Sequence, residues 1–216
     1  MIQIENVDVW GFEHALRGMR NPLNSWAKSD SGYEYAPSEE EGIDEGLFFI
    51  VGEADLDLMK RLYKAGSEHR KYLRQIFVSM DVTAPLYWWK EMDQYKIGTV
   101  TDSCSTMHKI HEKPFELEDF SFDDFDYYGE WKDDVTNVIE SCEDLRQDYL
   151  KTKDKSYWYL LIRLLPSAYN QKRTVTMNYE NVVSIIMQRS GHKLDEWNDF
   201  ITELKKLPYI TEIMGV

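Results

Sequence analysis

Asn178 and Arg189 stand eleven positions apart, which at 3.6 residues per turn is three helical turns to within about 20°. On a continuous helix they share a face with Asn181, Val182 and Ile185, an aliphatic stripe with polar ends. An amide and a guanidinium so placed suit a flat ligand edged with heteroatoms, because Arg donates two parallel hydrogen bonds to paired acceptors. The competing reading puts Arg189 at a helix C-terminus, where it complements the dipole. A second stretch runs from Ala84 to His108. There a strand, a helix opened by Pro85 and a loop rich in Ser and Thr follow one another with polar groups at each junction, which predicts a ligand cradle. Lys90, Lys96 and Lys109 bracket that cradle and suit a phosphate, with solvated side chains as the alternative. His69, three positions after Gly66, serves either as a structural group or as a hydrogen-bonding, proton-handling one. Cys104, His108 and His111 have C-x3-H-x2-H spacing, but no fourth ligand is evident, so no metal is expected. Cys104 with His108 lacks an orienting third residue for nucleophilic work. Glycine-rich phosphate loops, GxSxG and HExxH are absent from the sequence.

The elements that must position these groups follow from periodicity. Ile2, Ile4, Val7 and Val9 predict an edge strand over residues 2 to 10, and Gly11 to Met19 a short helix stopped by Asn21-Pro22. The turn beyond it carries Arg17, Arg20, Asn21 and Asn24. Residues 28 to 46 are acidic and rich in Ser and Gly, which predicts a surface loop. Asp55 to Ala65 is amphipathic and stopped by Gly66. Ile76, Val78, Met80 and Val82 alternate with Phe77, Ser79 and Asp81, the period of a half-buried strand. Pro85 suits a first helical position, with the helix running from 85 to about 96 and ending at Gly98. Residues 112 to 134 mix acids and aromatics without a period and read as a surface loop pinned by aromatics, with a recognition loop as the alternative. Helices are predicted over 135 to 151, 155 to 165, 177 to 190 and 194 to 206. Without a repeat or low-complexity linker, the expectation is one α+β domain over residues 1 to 216, an antiparallel sheet with helices on it.

Composition bounds the function. Of the 216 residues 43% are hydrophobic and 14% aromatic, ample for a core, and the formal charge is −14. An acidic surface disfavours nucleic acid or an anionic membrane as a broad electrostatic partner, while leaving room for a local basic pocket. No apolar run approaches the roughly 20 residues of a membrane span, and Met1-Ile-Gln-Ile-Glu5 lacks a signal pattern. Two cysteines, Cys104 and Cys142, without CxxC spacing point to reduced thiols, so a cytoplasmic location is expected.

The order of these pieces resembles the flavin-dependent thymidylate synthases. Gly66 and His69 are similar to that family's Gly-His segment before a strand, with two residues between them here. Ala84-Pro85-Leu86-Tyr87 matches its Ala-Pro-aliphatic-aromatic helix start. Gln94-Tyr95-Lys96-Ile97-Gly98-Thr99 occupies the place of Arg-His-Arg-x-x-Ser, and Asp102 to Thr106 the Ser-x-Arg loop. In the second half Arg163, Leu165-Pro166, Asn178-Tyr179-Glu180 and Gln188-Arg189 correspond to an Arg before Leu-Pro and to the Asn-x-Arg helix ending in Leu-Arg. The resemblance covers residues 55 to 110 and 155 to 200, about half of the chain.

The resemblance implies FAD, a homotetramer, and conversion of dUMP to dTMP with methylene-folate and NADPH. It assigns Arg189 the catalytic role of contacting and polarising the pyrimidine. Glu91, Gln94, Ser105 and Arg163 would join it in binding the nucleotide, and His69, Lys96, Asn178 and Ser184 would touch flavin. The departures concentrate on charge: Gln94-Tyr95-Lys96 keeps one cation of Arg-His-Arg, Glu180 replaces an arginine, and the loop arginine is missing. Each lost charge-assisted bond removes roughly 1.5–3 kcal/mol of binding. The alternative implied by these losses is a non-catalytic nucleotide-binding or assembly protein of the same fold.

Overall fold

A computed structural model describes residues 2–36, 46–122 and 125–216. The elements in order are β1 (Gln3–Trp10), α1 (Phe12–Arg20), β2 (Gly32–Ala36), β3 (Gly46–Ile50), α2 (Glu53–Lys64), β4 (Phe77–Pro85), α3 (Leu86–Met92), β5 (Thr99–Ser103), α4 (Lys132–Thr152), α5 (Lys155–Leu164), β6 (Asn170–Asn178), α6 (Tyr179–Arg189), α7 (Asp195–Leu204) and α8 (Ile210–Met214). Four strands form one sheet in the order β1-β4-β6-β5, and β2 pairs with β3 in a second. Side-chain pairs show the larger sheet to be antiparallel. Asn6 reaches Asp81 while Trp10 stacks on Phe77, and Ser79 meets Thr176 while Asp81 takes a bond from Thr174. Numbering rises on one strand as it falls on its neighbour. The architecture is α+β.

Contacts divide the chain into two compact units. The first comprises Met1–Asn6, Met80–Lys96 and Val100–Val175, the second Val7–Ser79, Ile97–Thr99 and Thr176–Val216. In the first, α4 packs on α5 over Ile110, Phe115, Phe120, Ile139, Cys142 and Leu161. Burial raises the Cys142 thiol to about 11. In the second, α6 packs on α7 and α2 on α8, burying Val182, Val183, Ile186, Trp197 and Phe200. Each large apolar side chain so buried contributes about 1.5–3 kcal/mol.

The period of two in β4 is realised: Val78, Met80, Val82 and Ala84 are buried, and Phe77, Ser79, Asp81 and Thr83 are half-buried. Helix α1 starts at a constrained point. Gly11 has φ 97°, and a Cβ there would lie 2.2 Å from the Gln75 carbonyl oxygen, so only glycine fits. The other end of α1 is held by a buried ion pair. Arg20 Nε donates to Asp55 Oδ1 at 2.6 Å, and Ser29 and Ser31 hydroxyls each donate to Asp55 Oδ2 at 2.6 Å. Burial pushes the Asp55 carboxyl upward, but these donors outweigh it and hold the group below its ordinary value.

Several expectations are corrected. Residues 32–36 and 46–50, the first within the expected 28 to 46 loop, form the β2-β3 pair, with Tyr33 opposite Phe49. The signal was hidden because both faces remain largely exposed, so no apolar alternation marks them. Residues 37–45 of that expected loop lie outside the described residues. Pro85 ends β4 and caps α3 with ψ 151° rather than occupying its first turn, and α3 stops at Met92. The expected Ser/Thr loop begins as strand β5, whose β-branched Thr and Val suit a sheet. Strand β6 was missed, and it places Asn178 before the helix expected over 177 to 190. Its buried face runs through Gln171, Val175 and Met177, and the polar member breaks the apolar pattern. Helix α4 begins at Lys132, three residues earlier than expected. Within 112 to 134, two 3-10 turns form, Leu117–Asp119 and Phe125–Trp131, and buried Phe115 and Phe120 supply the expected aromatic pins. Residues 123 and 124 lie outside the described residues.

Candidate functional site

In the first unit the predicted nucleotide residues sit on α3 and on the loop after β5. Trp88 and Trp89 are fully buried and meet edge to face at 4.8 Å, which fixes α3. Trp89 Nε1 donates to the Gln171 carbonyl at 2.9 Å, and the Arg173 guanidinium lies 4.2 Å over the Trp89 ring. Arg173 also donates to Asp93 at 2.8 Å and to Gln171 at 3.0 Å. This cation, absent from the sequence prediction, anchors the α3 C-terminus to β6 rather than offering charge to a ligand. Glu91 is half-buried on α3, while Gln94 and Lys96 are exposed on the turn that follows.

The loop beyond β5 is pinned to β6 where it leaves the strand, at Cys104. Gln171 Nε2 donates to the Cys104 carbonyl at 2.7 Å, and Cys104 N donates to the Lys172 carbonyl at 2.9 Å. The Ser105 hydroxyl oxygen accepts from the backbone N–H groups of Met107 and His108 at 3.2 and 2.9 Å, the geometry of a Ser turn. Its own proton has no acceptor among the described residues. Arg163 is exposed on α5, its guanidinium 5.7 Å over the Tyr159 ring. Among the described residues, no three His, Cys, Asp or Glu side chains converge as metal ligands.

In the second unit the predicted residues gather along α6. Asn178 precedes the helix as its N-cap (φ −94°, ψ 165°), and its Oδ1 accepts from Asn181 N at 3.1 Å. The face-sharing count from Asn178 to Arg189 is therefore corrected, because helical geometry begins only at Tyr179. Asn181 Nδ2 donates to the Ile97 carbonyl and to Thr99 Oγ1, both at 2.8 Å. Gly98 between them has φ 76°, and a Cβ there would stand 2.5 Å from Asn178 Nδ2. The segment 97–99 thus lies closely against the start of α6. Ser184 Oγ donates to the Glu180 carbonyl at 2.8 Å, which spends its proton inside the helix.

His69 is exposed, but the residue after it is not. Arg70 Nε and Nη2 donate to Glu180 Oε1 at 3.1 and 2.8 Å, with side chains only 16% and 15% exposed. The other carboxylate oxygen, Glu180 Oε2, is buried without a hydrogen-bond partner among the described residues. In the sequence Glu180 stands out only as a lost arginine, and nothing local marks Arg70, which neutralises it across 110 positions. At the far end of α6 the Arg189 guanidinium lies 4.7 Å over the Trp197 ring, with Nη1 3.2 Å from His192 Nε2. That stack holds the guanidinium plane in one orientation.

No protein-family model and no curated protein sequence matches the chain. Its fold is the flavin-dependent thymidylate synthase fold. A crystal structure of thymidylate synthase X from Helicobacter pylori with FAD and dUMP matches with a TM-score of 0.68 at 16% identity, covering 98% of this chain and 96% of that one. A second structure of the flavin-dependent enzyme from the same organism, also complexed with FAD and dUMP, gives 0.66 at 16% identity over 97% and 96% of the two chains.

Proposed function

We propose that this protein is a divergent flavin-dependent thymidylate synthase that binds dUMP and FAD and converts dUMP to dTMP, with methylene-folate as carbon donor, NADPH as reductant, and a homotetramer as the working form. The observation that carries the reading is the near-complete coverage of a fold whose solved examples hold FAD and dUMP.

The donor set on α6 allows a partial fit test for flavin. Glu180 Oε2 is a buried acceptor seeking a donor, so it suits a hydroxyl or ring N–H and repels a phosphate. Lys96 and His69, both exposed, would offer a cationic and a polar group to the pyrophosphate. The residues therefore fit the neutral, hydroxylated part of FAD better than its charged part. Bound FAD would supply the reducing equivalents that turn a transferred methylene into a methyl group.

The chain's own groups would position and polarise. Arg189, held flat by Trp197, would donate to the pyrimidine edge and stabilise charge developing on the ring. Glu91, Gln94, Ser105 and Arg163 would line the nucleotide, with Ser105 donating its hydroxyl proton. Asn178 and Ser184 would serve flavin through backbone order, since their side chains are engaged in α6. A second reading, a nucleotide-binding protein without flavin chemistry, is favoured by the Arg70–Glu180 pair, which removes the positive charge that an arginine at position 180 would offer.

The visible spectrum of the purified protein with added FAD, combined with a dUMP thermal-shift titration, tests both. Flavin bands that co-purify or shift on binding, with release of the dUMP C5 proton, support the enzyme. A colourless protein that ignores FAD yet is stabilised by dUMP sinks it in favour of the binding module. Arg189→Ala is expected to weaken dUMP roughly 10- to 100-fold, and unchanged affinity overturns the assignment of Arg189.

A further inference from the structure

The second unit also contains a cleft of about 660 Å³ whose lining includes none of the residues assigned above. Its volume lies within the roughly 300–1,000 Å³ of small-molecule sites. Helix α1 contributes His14 and Arg17, both exposed and neither hydrogen-bonded nor ion-paired among the described residues. Arg20 lines the cleft although it is only 4% exposed. Its Nε is spent on Asp55 and its Nη1 on the Ser25 carbonyl at 3.3 Å, which leaves Nη2 N–H groups without a partner among the described residues.

Flat apolar surface stands beside these donors. Trp26, Tyr33 and Phe49 line the same cleft. The Trp26 indole is fixed by its Nε1 bond to Asn21 Oδ1 at 2.8 Å, and Tyr33 meets Phe49 edge to face at 5.2 Å. The Tyr33 hydroxyl donates to Glu13 Oε2 at 3.2 Å, which turns that oxygen toward Tyr33 while Glu13, the one carboxylate of the lining, keeps its charge. Asp55 offsets the charge of Arg20. Attraction for an anion therefore rests on Arg17 and on directed N–H groups rather than on a large positive field, which suits one phosphate and not a chain of them.

The adjoining groove sharpens the choice. It is larger, about 1000 Å³, and richer in aromatics, but its ionisable lining is Glu13, His14, Glu34, Tyr33, Tyr35, Tyr209 and Glu212, with no arginine or lysine. Three carboxylates without an arginine or lysine disfavour an anionic aromatic molecule there, whereas in the smaller cleft Arg17 and the Arg20 edge stand against the single carboxylate of Glu13. We propose that the α1 cleft binds a nucleoside monophosphate, its base against Trp26 and its phosphate on Arg17 and the free edge of Arg20.

AMP is the probe, followed by calorimetry and tryptophan fluorescence on the whole chain. Micromolar to millimolar AMP binding is expected, with adenosine and inorganic phosphate each at least tenfold weaker, because each carries only half of the recognised chemistry. Arg17→Ala should weaken AMP roughly 10- to 100-fold without changing the melting temperature, since Arg17 is exposed, and Arg17→Lys should recover part of the loss. Trp26 is one of seven tryptophans, so loss of AMP-induced quenching in Trp26→Phe, with affinity kept within a few-fold, places the base. Absence of AMP binding, or wild-type affinity in Arg17→Ala, overturns the proposal. AMP binding that depends on Arg189 instead of Arg17 also overturns it. The dUMP reading stands or falls separately on Arg189→Ala.

Discussion

Two acidic side chains of the second unit, Asp55 and Glu180, each face an arginine, yet they are satisfied very differently. Asp55 is fully buried, and both of its oxygens are used: Arg20 on one, Ser29, Ser31 and the Asp30 N–H (3.3 Å) on the other. Glu180 receives both Arg70 bonds on a single oxygen, and its second oxygen is buried without a partner among the described residues. An unsatisfied buried acceptor costs about 1–3 kcal/mol. The contrast separates a carboxylate that completes a structural knot from one with acceptor capacity to spare, the property expected beside a ligand rather than inside a core.

The largest effect that tests the contrast is Asp55→Ala. It leaves the Arg20 guanidinium buried and unpaired, and chemical denaturation should report a loss of about 3–5 kcal/mol. Glu180→Gln, by comparison, should cost the fold under about 1.5 kcal/mol, because Arg70 keeps partial solvent access and an amide oxygen still accepts. Equal losses in the two variants would erase the distinction. If Glu180 serves a ligand, the same Glu180→Gln variant should change FAD or dUMP affinity while leaving the melting temperature nearly in place.

Acid titration gives a smaller effect with a defined sign. The folded-state carboxyl of Asp55 lies below its ordinary value. That of Glu143 is drawn down to about 2, chiefly by hydrogen bonding from Arg146. Groups depressed in the folded state add stability that is present above their unfolded values near 4 and is lost as pH falls through their folded ones. Stability should therefore decline from about pH 4.5 toward pH 2, and Glu143→Gln should flatten that limb. An unchanged slope would remove Glu143 from the account. Smallest in energy is thiol labelling: exposed Cys104 should be alkylated readily at neutral pH, while buried Cys142, raised to about 11, stays protected until unfolding.

Much of this was legible from local pattern. The β4 alternation and the amphipathic α2 follow from which side chains avoid water, and periodicity records that directly, whereas the aromatic pinning of 112 to 134 was legible from residue type without a period. Strand β6 and the β2-β3 pair were not legible. Gln171 interrupts the apolar face of the first, and the second exposes most of both faces, so neither carries the burial signal on which sequence reading depends. Within the candidate site, Arg189 and Asn178 could be singled out by residue type, but their surroundings could not.

The sequence by itself determined the α+β class, the strongly acidic charge, and a set of cations and amides able to meet a nucleotide. Tertiary structure alone decided which of those groups are already spent. Arg173 is consumed on Trp89 and Asp93, Ser184 on its own helix, and Arg70 on Glu180. Among the described residues, Arg17 keeps its donors and Arg20 keeps an edge of its guanidinium. The reason is that hydrogen-bond satisfaction depends on distances and angles between side chains up to 167 positions apart, which no local period encodes.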